Sequence, residues 1–124
     1  MSESFNRYTT EFNLDLSYLR DVSSGSNEFM IEMIDLFLEQ TPEYFENLEK
    51  FIEEENWPKV ADISHKIKPT LAFMGANAAK ESMSEIESNA RNLTNTETIG
   101  TAFKALHEFS AVLFSKLREV RNEL

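Results

Sequence analysis

The spacing of apolar residues is helical along nearly the whole chain. Between Asn27 and Glu55, a stripe with three- and four-residue spacing predicts one long amphipathic helix. Ser26 is placed to cap the start of this helix, and Pro42 lies inside it, where we expect a bend rather than a stop. The stripe consists of Met30, Ile34, Phe37, Tyr44, Leu48 and Phe51, with Thr41 at the remaining position.

Two shorter helices are predicted next. Asn56 can cap the first of them, with Pro58 in its first turn, and Gly75 suits a left-handed stop. Asn77 can cap the second. The apolar stripe of the first helix is Val60, Ile63, Ile67, Leu71 and Met74, and that of the second is Met83, Ile86, Ala90 and Leu93.

A last long helix and a short leading one complete the pattern. Residues 94–97, Thr-Asn-Thr-Glu, have the spacing of a capping box. The stripe that follows is Ile99, Phe103, Leu106, Leu113, Leu117 and Val120. Near the start of the chain, Leu14, Leu16, Leu19 and Val22 predict a short helix closed by Ser23, Ser24 and Gly25.

Four amphipathic helices with short joints bury their stripes best against one another. We therefore predict an all-α fold, an antiparallel four-helix bundle over residues 14–124 with a short additional N-terminal helix. Residues 1–13 are expected to form a tail or a loosely docked turn. The chain has 124 residues, with only three Gly and three Pro, which fits one helical domain.

Composition limits the classes of partner. Asp and Glu number 22 against 12 Lys and Arg, a formal net charge of −10, and such a surface repels nucleic acids and anionic membranes. Cysteine is absent, which excludes disulfides, iron–sulfur clusters and thiol nucleophiles. No apolar run is long enough for a membrane span, and the N-terminus lacks a signal-peptide pattern. We expect a cytoplasmic protein that binds neither nucleic acid nor membrane.

His65 is the first candidate for chemistry. On a helical wheel it points about 160° away from the centre of its helix's apolar stripe, towards solvent. Its neighbours on that outward face, three, four and seven residues away, are Ala61, Lys68, Pro69 and Ala72. Small neighbours would leave the imidazole uncovered, and the lysine could reach a group bound to it.

The charges around His65 are locally basic. Residues 59–80 contain four lysines against Asp62 alone. Neutral imidazole is a nucleophile near pH 7, and nearby ammonium groups would stabilise an added phosphoryl group. The simpler interpretation is an ordinary surface histidine. His107 lies at the edge of the last stripe, where partial burial without a role is expected.

Other chemistries have weaker support. Asp62 and His65 lie one helical turn apart and could form half of a metal site, but a diiron bundle needs repeated Glu-x-x-His sets and the chain has none. Neither a Ser-His-Asp grouping nor a glycine-rich phosphate loop is present.

The segment Ser64 to Gly75, Ser-His-Lys-Ile-Lys-Pro-Thr-Leu-Ala-Phe-Met-Gly, resembles the signature of histidine-containing phosphotransfer (HPt) domains. That signature has a histidine, a lysine three residues later, a small residue next, and a glycine ten residues after the histidine. The resemblance extends to residues 16–19, 37–42 and Trp57, and it covers most of residues 14–120.

The resemblance implies a phosphorelay carrier without kinase activity of its own. His65 would accept a phosphoryl group on Nε2 from an aspartyl phosphate of a receiver domain and pass it to another receiver aspartate. Lys68 and Lys66 would offset the added charge, and Gly75 would end the helix. The compact side chains that would leave room for the receiver beside the imidazole are those of Ala61, Pro69 and Ala72.

The implied partners are response-regulator receiver domains, those of a hybrid sensor histidine kinase among them. The receiver would bring Mg²⁺, so no cofactor is expected on this chain. Met1 and the lack of a linker favour a free-standing protein over a domain of a hybrid kinase. The alternative that stays open is a helical interaction module in which His65 is incidental.

Pro69 departs from the glycine or alanine that is usual in the signature. Because proline has no N–H, the carbonyl of His65 loses its helical partner. The apolar stripe continues past Pro69, so we predict a kink at this point rather than two helices.

Overall fold

The structure, a computed structural model, describes residues 14–124. These residues form five α-helices and one 3₁₀ turn, Thr96–Thr98, with no strand among them. The all-α prediction is confirmed. The prediction for residues 1–13 lies outside the described residues. The helices are α1 (Ser17–Val22), α2 (Asn27–Glu53), α3 (Trp57–Phe73), α4 (Asn77–Asn92) and α5 (Ile99–Glu123).

Helices α2 to α5 form the predicted bundle. Helix α3 packs against α2 and α4, and α5 also packs against α2 and α4. Connections of a few residues join successive helices, so neighbouring helices run antiparallel. Across residues 14–124, no helix combines the length and the apolar composition that crossing a membrane requires.

Side-chain caps start α2 and α3 where they were predicted. The Ser26 hydroxyl accepts the N–H of Phe29 at 3.2 Å, and the Asn56 side chain accepts the N–H of Lys59 at 3.4 Å. Each cap satisfies a backbone donor that has no partner inside its helix. Both helices continue through their internal prolines, Pro42 and Pro69.

Helix α2 ends at Glu53, slightly before the predicted boundary at Glu55. Glu55 has a left-handed backbone, with φ of 53°. The N–H groups of Glu55 and Asn56 bond back to the carbonyls of Ile52 and Phe51. This hydrogen-bond pattern closes a helix and turns the chain away from its axis.

Gly75 ends α3 in the same way, as predicted. Its φ is +78°, its N–H bonds to Ala72 at 3.0 Å, and the N–H of Ala76 bonds to Leu71 at 2.9 Å. The turn also meets the segment ahead of α1, because a Cβ on Gly75 would overlap the carbonyl oxygen of Asp15. A glycine is therefore required here for two separate reasons.

Two predicted caps are wrong. Ala76 precedes α4 and Asn77 is its first residue, without a side-chain capping bond, because the glycine turn brings the chain directly into the helix. The box at residues 94–97 does not form either, because Asn95 has a left-handed backbone. The Thr94 hydroxyl points back to the Asn89 side chain at 3.2 Å.

The core is formed by the predicted stripes, with a few corrections. In α2, Phe45 is buried where Tyr44 was predicted to be, and Phe45 packs edge-on against Phe103. Leu93 is 68% exposed, because its left-handed backbone at the end of α4 turns it off the stripe. Val22 is exposed as well. The buried residues of α2 are Met30, Ile34, Phe37, Thr41, Phe45 and Leu48.

Alanine substitution at the three glycines separates the two requirements at Gly75. Gly25→Ala costs about 1 kcal/mol, because Gly25 has a positive φ but open space around it. Gly75→Ala costs more, about 2 kcal/mol or above, because the overlap with Asp15 is added. Gly100→Ala, in a helix with open space, stabilises by about 0.5 kcal/mol. Urea unfolding measures all three, and equal costs at Gly25 and Gly75 would disprove the close approach.

Candidate functional site

His65 lies on the exposed face of α3, as the helical wheel predicts. Its side chain is 69% exposed, whereas Ile67 and Leu71 on the same helix are buried. The helix therefore anchors its apolar side in the bundle and presents the imidazole on the outside.

One carboxylate from α4 contacts both His65 and Lys68. Glu87 Oε2 lies 2.9 Å from His65 Nδ1, and Glu87 Oε1 lies 2.9 Å from Lys68 Nζ. The Glu87 side chain is 13% exposed and that of Lys68 is 24% exposed. The carboxylate thus lies on the protein side of the exposed ring, between the ring and the ammonium group.

The electrostatics of Glu87 determine which ring nitrogen carries the proton. Burial raises the pKa of Glu87, but the hydrogen bond and charge of Lys68, followed by those of His65, outweigh burial and hold the pKa below its ordinary value. Glu87 is therefore ionised at neutral pH and can only accept hydrogen bonds. It follows that His65 Nδ1 donates, and that the free lone pair of the neutral ring is on Nε2.

Two further charges lie at the edge of this cluster. An Arg91 guanidinium nitrogen is 3.4 Å from Glu87 Oε2 and 3.6 Å from Asp62 Oδ1. Arg91 and Asp62 are both exposed, so these ion pairs contribute little energy. Within residues 14–124, no three histidine or carboxylate side chains converge in a way that could hold a metal ion. The Asp62–His65 pair therefore finds no third ligand in that part of the chain.

An open groove of about 760 Å³ lies beside the imidazole. Helix α1 contributes Tyr18 to one wall, and the Tyr18 ring meets Phe73 edge-to-face at 5.5 Å. Asp15 lies at the rim, where the hydroxyl and then the N–H of Ser17 lower its pKa. The remaining lining residues are His65, Lys68, Pro69, Ala72, Gly75, Asn77 and Lys80.

The structure brings most of the predicted site residues together, with two exceptions. Ala61 is completely buried, so its predicted exposure on the outward face of the helix is wrong. A single apolar stripe suggests that α3 buries one narrow face. Because α3 packs against both α2 and α4, a wider part of its circumference is buried, and this part includes Ala61. Lys66 is exposed in a different depression, next to Phe51 and Lys59.

Sequence reasoning missed Glu87, although a signal for it exists. Glu87 follows Met83 by four residues and precedes Ala90 by three, so it lies on the apolar stripe of α4. A carboxylate in such a stripe needs a partner when it is buried. Glu87 also partly offsets the basic charge predicted around His65, because it pairs with Lys68.

His107 has no part in this site. It is exposed, whereas partial burial was predicted, and its ring stacks on Phe103 at 5.4 Å between centroids. The Phe45 ring lies 6.0 Å away. Aromatic packing at the side of the bundle accounts for its position, and it provides a matched control histidine.

Comparison with known proteins gives one result. A family model described as the Hpt domain matches residues 32–113, about two thirds of the chain. The matched span contains all of α3 and α4, and so both His65 and Glu87. Neither the curated proteins nor the solved structures compared with the chain gave a match.

The lowered pKa of Glu87 predicts a pH-dependent contribution to stability. A carboxyl whose pKa is lower in the folded state stabilises at neutral pH, and this contribution disappears as pH falls below its ordinary value of 4.5. Glu87→Gln should therefore cost about 1 kcal/mol at pH about 7 and less at pH about 3. Urea unfolding at both pH values measures the difference.

Glu85→Gln is the matched control, because Glu85 is an exposed glutamate on the same helix. Its effect on stability should be smaller than that of Glu87→Gln at neutral pH. A cost of Glu87→Gln that is the same at both pH values would contradict the assigned ion pairs.

Proposed function

The chain belongs to the Hpt domain family, and on that premise we propose that it is a phosphoryl carrier of a multistep phosphorelay. His65 accepts a phosphoryl group from the aspartyl phosphate of one response-regulator receiver domain and passes it to the aspartate of another. One observation supports this most strongly. His65 is an exposed imidazole whose Nδ1 is engaged by Glu87 at 2.9 Å, so Nε2 is free to react.

The transfer needs only two bond changes. The lone pair of Nε2 attacks phosphorus, the bond from phosphorus to the acyl oxygen breaks, and its electron pair leaves with the receiver carboxylate. In the second transfer, an aspartate oxygen of the next receiver attacks phosphorus and the electron pair of the P–N bond returns to Nε2. The proton on Nδ1 stays in place in both directions.

The groove supports the docking of a receiver next to His65. Pro69, Ala72 and Gly75 are compact lining residues that leave space in front of the ring. Lys68 and Lys80 line the same groove, so their charges favour the approach of a phosphorylated, anionic partner. Lys66 lies outside the groove and has less support as a charge partner.

In this proposal the receiver supplies Mg²⁺ and the remaining catalytic groups, and the chain itself has no kinase activity. The carrier is proposed to be cytoplasmic. It acts as a monomer, because a single histidine on one bundle is sufficient for each transfer. Receivers attached to hybrid sensor kinases and free receivers are both suitable partners, since each presents the same aspartate chemistry.

Phosphoryl labelling tests the proposal. The wild-type chain is incubated with a panel of receivers that carry radiolabelled aspartyl phosphate, with Mg²⁺ present. We expect acid-labile, base-stable label on the wild type and on His107→Gln, and no label on His65→Gln. Circular dichroism and thermal unfolding of both variants control for folding.

Label retained by His65→Gln would exclude His65 as the acceptor. Failure of every receiver to label the wild type would exclude the carrier. Receiver binding that His65→Gln leaves unchanged would then support the interaction module.

A further inference from the structure

A second, apolar groove runs along the seam between α2 and α3. Its volume of about 260 Å³ is below the roughly 300 Å³ at which small-molecule sites begin, so it suits the side chains of a peptide segment. Leu36 at its edge is 42% exposed, and Phe29, two turns earlier on α2, is 39% exposed. Among the residues that line it, α2 contributes Met33, Leu36 and Tyr44, and α3 contributes Pro69, Phe73 and Met74.

The chain enters the bundle at one end of this groove. A Cβ on Gly75 would overlap the carbonyl oxygen of Asp15, and Phe73 and Met74 directly precede Gly75 on the groove wall. Residues 1–13, the N-terminal segment, therefore start beside the groove. Such a short tether gives the segment a high effective concentration at the groove.

The sequence of the N-terminal segment is apolar on one side. Phe5, Tyr8 and Phe12 are spaced by three and four residues, so on a helical wheel they share one face. Glu3 and Arg7 fall on the other face. The segment thus offers a row of three aromatic side chains to an apolar surface, and aromatic side chains bury the largest areas.

The lengths of the groove and of the aromatic row also agree. Met33 and Tyr44 lie eleven residues apart on α2, which is about 17 Å along the helix axis. Phe5 and Phe12 are seven residues apart, or about 10 Å in a helix. Leu14 packs against the core, so the segment is anchored directly after Phe12 and the whole row is within reach of the groove.

Charge disfavours a second copy of the chain as the occupant. Helix α2 carries seven Glu and one Asp against one Lys, and the whole chain has a formal net charge of −10. Two such surfaces repel each other. The N-terminal segment has two Glu and one Arg, so it brings little charge to the groove.

We propose that the N-terminal segment binds the groove between α2 and α3 through its three aromatic side chains. This groove shares Pro69 and Phe73 with the groove beside His65. The bound segment therefore lies next to the surface that a docking receiver meets, and it competes with the receiver. The competition rests on the proposed function, whereas the binding of the segment does not.

Paramagnetic NMR of the full chain tests the binding. The chain contains no cysteine, so Thr10→Cys provides a single attachment point for a nitroxide, and position 10 falls opposite the aromatic row on a helical wheel. We expect the methyl signals of Met33 and Met74, which line the groove, to broaden more than that of Met83 on α4. Equal broadening at all three methionines would overturn the proposal.

Two further variants separate binding in the groove from mere proximity of the tether. Phe5→Ser, Tyr8→Ser and Phe12→Ser, combined in one spin-labelled chain, should remove the excess broadening at the groove. Leu36→Gln on the groove should do the same, whereas Leu93→Gln, a matched change of an exposed leucine at the end of α4, should not. Excess broadening that survives the triple substitution would contradict the role of the aromatic row.

A mixing experiment distinguishes binding within one chain from binding between two chains. Spin-labelled chain without isotope labels is mixed with isotope-labelled chain that carries no nitroxide. We expect no broadening at Met33 in this mixture. Broadening as strong as that within one chain would mean that the segment binds a second copy, which would overturn the proposal.

Receiver affinity tests the competition. A segment that occupies the groove for about nine-tenths of the time weakens receiver binding about tenfold. The triple aromatic variant should therefore bind a phosphorylated receiver up to about tenfold more tightly than the wild type. The matched control, Glu3→Ser combined with Arg7→Ser on the other face of the segment, should bind it as the wild type does.

The outcomes distinguish this inference from the proposed function. Excess broadening at the groove with unchanged receiver affinity in the triple variant would refute the competition and leave the binding of the segment intact. Excess broadening with no receiver able to label the wild type would refute the carrier, and the competition with it. Labelling of His65 without excess broadening would leave the carrier intact and overturn the binding of the segment.

Discussion

The contact on which the site depends is a single carboxylate that crosses from one helix to the next. Glu87 extends from α4 to α3 and bonds there to an imidazole and an ammonium group one turn apart. It can do so because the apolar stripes of the two helices bury their facing sides, which fixes the distance between their backbones. Packing in the core thus sets which nitrogen of a surface imidazole meets the carboxylate.

The exposure of His65 also depends on helix α3 staying in one piece. Pro69 removes the backbone donor for the His65 carbonyl, yet the helix continues to Phe73. Buried residues on both sides of the proline, Ile67 and Leu71, hold the helix to the bundle. His65 therefore lies where the backbone has one hydrogen bond fewer and the side-chain packing compensates.

Hydrophobic periodicity predicts the five helices and the outward face of His65, because both depend on residues near in sequence. Ser26 and Asn56 were predictable as caps for the same reason. The errors arise where the structure depends on backbone turns or on contacts between helices, which the periodicity of one helix does not describe. Left-handed residues such as Asn95 redirect the chain in a way that periodicity does not encode. The burial of Ala61 and the partner of His65 depend on which residues of α4 face α3, and a wheel drawn for one helix does not contain this information.

The groove wall made by Tyr18 and Phe73 is separate from Glu87, the residue that bonds to the His65 ring. Tyr18 belongs to a six-residue helix outside the four-helix bundle, and its ring meets Phe73 edge-to-face. Under the proposed function, part of the surface for partner recognition therefore lies on a helix that does not hold the imidazole. Substitutions in α1 can reshape the surface that a partner meets while the imidazole keeps its orientation, so a duplicated copy could diverge in pairing preference without rebuilding its chemistry.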